Sequence, residues 1–345
     1  MKSGAKKLKA AEVILVSPAA REDNNGNWHT AHRWARFLSS HCDITPLQQW
    51  LGVPAGAIRS SEPQALIALH ARRSAESIQA WASAYPGKPL VVVLTGTDLY
   101  RDIHHDASAR QSLALASQLV LLQEDGFAAL PKVWHSKAQV IYQSANRLVP
   151  AIKSQRTFRA LMVGHLRQEK DPLTFMNAAA RAQTAGIFFD QIGLALEPSF
   201  AQAAQARAEE TPRYRWLGGQ PRAATRQAIK RAHVLINCSQ MEGGAHVILE
   251  AVQAGTPVLA TRISGNIGML GAGYAGFFEL GNDAQLAALV SRCAEKPDFL
   301  ALLQSQCSQR APLFNAQTEK RLVINLVQSA LRLPLRLQKD RHECP

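Results

Sequence analysis

Two carboxylates, Glu242 and Glu250, stand eight positions apart in this chain. Gly243 and Gly244 follow the first. Ala245 and His246 then open an apolar run that carries the second, and Gly255-Thr256-Pro257 leads into a short strand. Glycines at the start of a helix let backbone N–H groups approach an anion closely, and the helix dipole favours negative charge there. A carboxylate two turns further on can accept two hydrogen bonds from a ribose diol. The segment therefore reads as a nucleotide-diphosphate site. Spacing alone fits an ordinary loop–helix–strand unit as well, because short glycine patterns recur by chance.

Other candidates lie where strands should end. The loop Gly164-His165-Leu166-Arg167-Gln168-Glu169-Lys170 offers cations. Charge on a diphosphate is stabilised by fixed positive groups such as these. Asn25-Gly26-Asn27 falls in the first strand–helix loop. Arg72 and Arg73 follow His70 at a second strand end, where two arginines suit an oxyanion. Thr97, Asp98 and Arg101 follow Leu94 at a third. Each of these alone fits a turn or cap equally well; three at neighbouring strand ends favour function. His29, His32, His104 and His105 read as surface or core residues. There is no Asp-x-Asp cluster, so no metal or other cofactor is expected.

The elements that must position these groups follow from apolar patterning. Strands are expected at 13–16, 67–70, 90–94, 119–122 and 138–142, with helices at 30–38, 75–84 and 108–116 between them. The pattern restarts with strands at 158–164, 214–218, 233–237 and 256–261. Helices are expected from Asp171-Pro172, where Pro suits the first turn, and over 222–231. Alternating strands and helices indicate parallel α/β sheets. The expected division is residues 1–155, residues 156–317 and a terminal helix and tail over 318–345 that packs back on the first domain. Ligands of such sheets lie at the carboxyl ends of strands.

Composition bounds the rest. The 345 residues suffice for two domains, and 47% are hydrophobic. No apolar run is long enough to span a membrane, and the basic N-terminus lacks the apolar core of a signal peptide. Cys42, Cys238, Cys293, Cys307 and Cys344 are scattered without a Cys-x-x-Cys pair. That usage points to reduced thiols in a cytoplasm and against a zinc site. The net charge of +13 favours anionic partners. The basic residues are spread along the chain with no nucleic-acid-binding motif, so phosphorylated small molecules are expected rather than nucleic acid.

The Glu242-x7-Glu250 pair, with the second glutamate opening Glu-Ala-x-x-Ala-Gly-Thr-Pro-Val, resembles the nucleotide-sugar site of family 4 glycosyltransferases. The resemblance implies the GT-B fold: two Rossmann-like α/β domains facing across a cleft. It implies that Glu250 binds the donor ribose, that Glu242 lies near the donor sugar, and that the backbone at Gly243, Gly244 and Ala245 holds diphosphate and sugar, with His246 beside it. Gly164-His165-Leu166-Arg167-x-x-Lys170 is similar to the family's Gly-Arg-Leu-x-x-x-Lys segment, whose Arg and Lys neutralise the diphosphate. Lys170 matches; His165 departs from it, and Arg167 is a nearby substitute. Gly218 falls where the family places the nucleotide base.

A narrower resemblance rests on Asn24-Asn25-Gly26-Asn27, Leu69-His70-Ala71-Arg72-Arg73-Ser74-Ala75, the run Leu94–Asp102, Gly164–Pro172 with His165 included, and Met241-Glu242-Gly243-Gly244-Ala245. These are similar to the bacterial selenosugar synthases of selenoneine biosynthesis. The resemblance implies a UDP-sugar donor, UDP-N-acetylglucosamine by family habit, and selenophosphate as acceptor. Asn25, Gly26, Asn27, Arg72, Arg73, Thr97, Asp98 and Arg101 are then the acceptor-side candidates. A conventional family 4 transferase, with a sugar, lipid or small alcohol as acceptor, is the alternative within enzymes. A non-catalytic nucleotide-sugar or nucleic-acid binder is the alternative outside them.

Overall fold

The computed structural model describes residues 11–19, 26–52 and 62–332. The chain divides into two compact units, Met1–Tyr142 with Gln317–Pro345, and Gln143–Ala316. Asn25 and Cys344 lie outside the described residues.

The first unit runs β1 (Glu12–Val16), α1 (Gly26–Leu38), β2 (Asp43–Leu47), β3 (Ala65–Leu69), α2 (Ala75–Ala84) and β4 (Leu90–Val93). A π-helical turn (Asp98–Asp102) leads into α3 (Ile103–His105), then α4 (Ala107–Leu115), β5 (Gln118–Leu121), α5 (Gly126–Ala129) and β6 (Ala138–Val140). Its sheet is parallel, in the order β2-β1-β3-β4-β5-β6. β3, β4 and β5 are buried along their whole length. Strands covered on both faces read as continuous apolar runs, which is why these were visible in the sequence.

The second unit runs β7 (Phe158–Val163), α6 (Pro172–Arg181), β8 (Ile187–Ile192), α7 (Pro198–Glu210), β9 (Tyr214–Trp216), α8 (Arg222–Arg231), β10 (Val234–Asn237), α9 (His246–Gln253), β11 (Val258–Thr261), α10 (Ser264–Leu270), β12 (Phe277–Phe278), α11 (Asp283–Glu295) and α12 (Pro297–Arg310). Its parallel sheet has the order β12-β11-β10-β7-β8-β9. This is the doubly wound order of nucleotide-binding sheets, with its switch point between β7 and β10. The corresponding switch in the first unit falls between β1 and β3.

Three expectations shift. Residues 143–155 belong to the second unit, not the first. The Leu148 N–H donates to the Gln253 carbonyl, 3.0 Å away. The Lys153 ammonium donates to the carbonyls of Lys230 and Ala232, at 2.7 and 2.6 Å, where α8 ends. Second, α1 starts at Gly26, so Gly26 and Asn27 stand in its first turn and not in a loop; the Thr30 hydroxyl closes that turn on the Gly26 carbonyl at 2.7 Å. Third, β2 and β8 were missed. β2 is a half-exposed edge strand carrying Pro46, and β8 carries Asp190 and Gln191 in its middle.

The terminal helix α13 (Ala316–Arg332) belongs largely to the first unit. Val323, Leu326, Val327 and Ala330 pack into the core formed by Val13, Leu15, Trp34, Leu69 and Val91. Glu319, 1% exposed, accepts from Arg33 Nε and Nη2 at 2.7 and 2.9 Å and from Trp34 Nε1 at 2.8 Å. Among the described residues no helix is long and apolar enough to cross a membrane. Truncating one member of a buried, hydrogen-bonded charge pair strands the other. Glu319→Ala is therefore expected to lower the unfolding free energy by about 3 kcal/mol in urea denaturation; a loss under about 1 kcal/mol would mean that α13 docks by its apolar face alone.

Candidate active site

In the second unit, the loops after β7 and β10 flank the switch point. The first delivers Lys170 and the second Glu242, whose Nζ and Oε1 are 2.5 Å apart. The Glu242 side chain is 11% exposed. A buried ion pair is favourable only when further hydrogen bonds support it, and here two more side chains converge on Oε1. The Ser239 hydroxyl donates to the same oxygen at 2.6 Å and Asn237 Nδ2 approaches it at 3.4 Å. Asn266 Nδ2 donates to Asn237 Oδ1 at 3.1 Å and to the Thr261 carbonyl at 3.0 Å, and the Thr261 hydroxyl donates to the Ser239 carbonyl at 2.6 Å. Burial alone would raise the Glu242 carboxyl above its ordinary value of 4.5; Lys170 and the bonds from Ser239 and Asn237 outweigh it and hold the group lower.

The two loops are also tied by backbone: the Gln240 N–H donates to the Glu169 carbonyl at 2.9 Å. Gly265, in the first turn of α10, passes so close that a Cβ there would collide with the Glu242 carbonyl. Asp171 caps α6 from a left-handed conformation, φ +45°, and accepts from the Thr174 hydroxyl at 2.6 Å. Such backbone is uncommon outside glycine and gathers at functional loops.

α9 begins at His246, after Gly243, Gly244 and the buried Ala245. The Ile248 N–H donates to the Ala245 carbonyl at 2.9 Å, and a helix start preceded by glycines in this way suits an anion. Glu250 lies one turn further along, with His246 Nε2 at 3.6 Å and Arg222 Nη2 at 3.5 Å. Burial pushes its carboxyl up, but His246 first, then Arg222 and Arg226, hold it below the ordinary range. Glu250 is therefore an ionised acceptor fixed beside the helix start.

The remaining predicted donor residues have distinct places. Gly164 ends β7 against the methylenes of Lys170. A Cβ on Gly193, after β8, would collide with the Gly164 carbonyl, so the two strand ends meet this closely because residue 193 is a glycine. His165 Nδ1 accepts from the Leu194 N–H at 3.2 Å, which commits this ring nitrogen to the neighbouring loop. Arg167 is paired with Glu169 at 3.9 Å and stays partly exposed. Gly218, φ +64°, turns the chain after β9 and its carbonyl accepts from the Gly193 N–H at 2.9 Å.

The first unit gathers its candidates after β3 and β4. Asp98 is fully buried and is not presented to a ligand. Its Oδ1 accepts from the N–H groups of Thr95 and Gly96 at 2.8 and 2.9 Å, and its Oδ2 from that of Ala71 at 2.9 Å. It ties the two loops together. Arg72 and Arg101 both turn their Nε to Asp102, at 2.8 and 3.1 Å, and remain 40% and 43% exposed. Arg73 is exposed, and Thr97 lies 3.0 Å from His70 Nε2. Sequence reasoning missed Asn237, Ser239, Gly265 and Asn266 in one unit and the roles of His70 and Asp102 in the other.

Residues 149–312 match the family described as Glycosyl transferases group 1. The glycosyltransferase 1 domain-containing protein 1 of Xenopus tropicalis is 26% identical over 200 residues, which is 52% of this chain and 58% of that protein. The chain thus spans little more than half the length of this relative. Two solved structures are similar over nearly their whole length. Anabaena HepE in complex with UDP-glucose has a TM-score of 0.73 at 15% identity, over 92% of this chain and 99% of that one. Sucrose-phosphate synthase from Thermosynechococcus elongatus has 0.72 at 14% identity, over 92% and 98%. The chain has the GT-B fold. The region that matches the family contains Lys170, Glu242 and Glu250.

Two outcomes follow for this GT-B site. Because the folded Glu242 value lies below 4.5, its contribution to stability is complete above that pH and is lost as pH falls through the depressed value. Glu242→Gln should therefore be less stable than wild type at neutral pH, with the difference shrinking in acid denaturation below about pH 4; a gap independent of pH would show that the pair does not titrate this way. Gly265→Ala must displace the Glu242 loop or α10, so it should lower the unfolding free energy by about 2 kcal/mol or more in urea denaturation, and unchanged stability would show that the two segments yield without cost.

Proposed function

We propose that this protein is a glycosyltransferase that takes a sugar from a UDP-sugar, UDP-N-acetylglucosamine in the narrower reading, and transfers it to selenophosphate. The observation that carries the donor half is the constellation at the β7–β10 switch point: Lys170 locked to Glu242, two glycines, the start of α9, and an ionised Glu250. The solved HepE structure holds UDP-glucose in a chain of the same fold, and the group 1 family match covers this part of the chain.

In this reading, Glu250 accepts hydrogen bonds from the ribose diol. The α9 amides and Lys170 take up the charge that grows on the diphosphate, without a metal. Arg167 adds long-range positive charge from the loop edge. Glu242, fixed by Lys170, Ser239 and Asn237, presents an anionic rim to the sugar. The acceptor half rests on the cationic face formed by Arg72, Arg73 and Arg101 after β3 and β4, which suits a phosphate-type oxyanion. Selenium attacks the anomeric carbon: the Se–C bond forms, the C–O bond to UDP breaks, and the electron pair leaves with UDP. Water then cleaves the Se–P bond, giving phosphate and the 1-selenosugar with a proton on selenium. The buried free thiols Cys42, Cys238, Cys293 and Cys307 suit the reducing cytoplasm in which we place this reaction.

The test is turnover of UDP-N-acetylglucosamine with fresh selenophosphate, with UDP release followed in parallel with mass spectrometry for the selenium isotope pattern on a sugar. We expect a selenosugar with wild type, its loss with Glu250→Ala, and a fall in kcat of about a hundredfold or more with Lys170→Ala. UDP release with no selenium in any product would replace selenophosphate with a conventional acceptor, and no release from any UDP-sugar would overturn the donor assignment.

A further inference from the structure

His70 is a residue that neither the family match nor the donor reading uses. It closes β3 with φ +73°, a left-handed conformation uncommon for a residue with a side chain, and it is 2% exposed. Both ring nitrogens are committed. Nδ1 accepts from the Arg73 N–H at 3.3 Å, so the proton of the neutral ring sits on Nε2, which faces Thr97 Oγ1 at 3.0 Å. The charged groups around the ring are Asp98, 3.9 Å from Nδ1, Asp102, 3.9 Å from Nε2, and Arg72 and Arg73. Burial, the largest influence, disfavours protonation of the ring, and Asp98 only partly opposes it.

A consequence follows for Thr97. Its oxygen accepts from His70, so its own proton points elsewhere, and no described residue accepts it. We infer that His70 is a positioning residue that orients the Thr97 hydroxyl so that its proton is offered to a tetrahedral oxyanion, bound beside Arg72 and Arg101. Arg72, Arg73 and Arg101 carry three positive charges against three negative on Asp98, Asp102 and Asp106, so the site offers directed guanidinium donors and not an excess of charge. Asp102 holds both guanidinium groups by their Nε atoms while each stays partly exposed. A hydroxyl whose proton is turned toward two guanidinium groups adds a donor to theirs, and such donors bind an anionic oxygen more strongly than a neutral one. The identity of that anion as the acceptor's phosphoryl group rests on the proposed transferase reading; the anion site does not.

Inorganic phosphate is the probe, titrated into the full chain by phosphorus NMR with UDP present to occupy the second unit. Thr97→Val should weaken phosphate binding by about tenfold, and Thr97→Ser should retain it. His70→Asn keeps a residue that tolerates left-handed backbone and can still accept from Arg73, but it is too short to reach Thr97. It should lose about as much as Thr97→Val, and the double variant should fall within about twofold of either single one. In turnover the same variants should raise the acceptor KM and leave kcat nearly unchanged. Phosphate binding indifferent to Thr97→Val, or losses that add in the double variant, would overturn the inference. If His70→Asn does not fold, the Val and Ser variants decide alone. Phosphate binding that follows this pattern in a protein releasing no UDP would keep the anion site and remove the transferase reading; UDP release with phosphate binding indifferent to Thr97 would do the reverse.

Discussion

The pair Lys170–Glu242 sets the terms for the second unit. Bringing a carboxylate and an ammonium out of water costs several kcal/mol per ion, and their attraction recovers it only with good geometry and full hydrogen bonding. That requirement accounts for residues with no obvious chemistry of their own. Asn237 ends β10 with a side chain shared between Glu242 and Asn266; Ser239 donates to the carboxylate while its carbonyl accepts from Thr261. Gly265 is small because the network draws α10 against the Glu242 backbone. Charge that is fixed before the donor arrives need not reorganise as the leaving group departs, which is where electrostatic stabilisation acts.

The first unit meets the same demand differently. There a fully buried carboxylate, Asp98, is satisfied by three backbone amides from two loops, and the nearby Asp102 by two guanidinium groups. Asp98 ties the loop after β3 to the loop after β4, much as Glu242 ties the loops after β7 and β10. Each loop pair also contains a left-handed residue that is not glycine, His70 in one and Asp171 in the other. Each strained residue is held through its side chain: the His70 ring accepts from the Arg73 N–H and faces Thr97, and the Asp171 carboxylate accepts from the Thr174 hydroxyl. The strain is thus tolerated where it aims a functional loop.

Legibility in the sequence followed burial. The strands 90–94 and 119–122 and the helices 75–84 and 222–231 were readable because their patterns are set by their own residues. β8 was not, since Asp190 is buried only by virtue of Arg159 and Arg215, which pair with it at 2.9 and 2.7 Å from two neighbouring strands. The domain boundary was misplaced because Pro150 and Lys153 read as linker residues, while the Lys153 ammonium caps α8. At the site, the glutamates and Lys170 were legible as types at fixed spacing. The inward carboxylate of Asp98 and the partners Asn237 and Ser239 were not, because which atom a polar side chain meets is decided by strands distant in sequence. Residue type placed Asp98 at the right loop; its three amide partners give it a structural part there.

The state of these side chains bears on the acceptor. A neutral alcohol must lose a proton as it attacks, so a group with a spare lone pair near neutral pH has to stand close by. In the loops after β3 and β4, none of the candidate groups is spare: His70 has one nitrogen accepting from Arg73 and the other protonated toward Thr97, Asp98 is saturated by amides, and Asp102 is held by Arg72 and Arg101. What the loops do offer is two partly exposed guanidinium groups and a hydroxyl. A nucleophile that arrives already ionised, with oxyanions of its own to be held, needs those two things and no base. Under the proposed function, these loops suit an acceptor that brings oxyanions of its own, because their side chains are arranged as donors and not as a base.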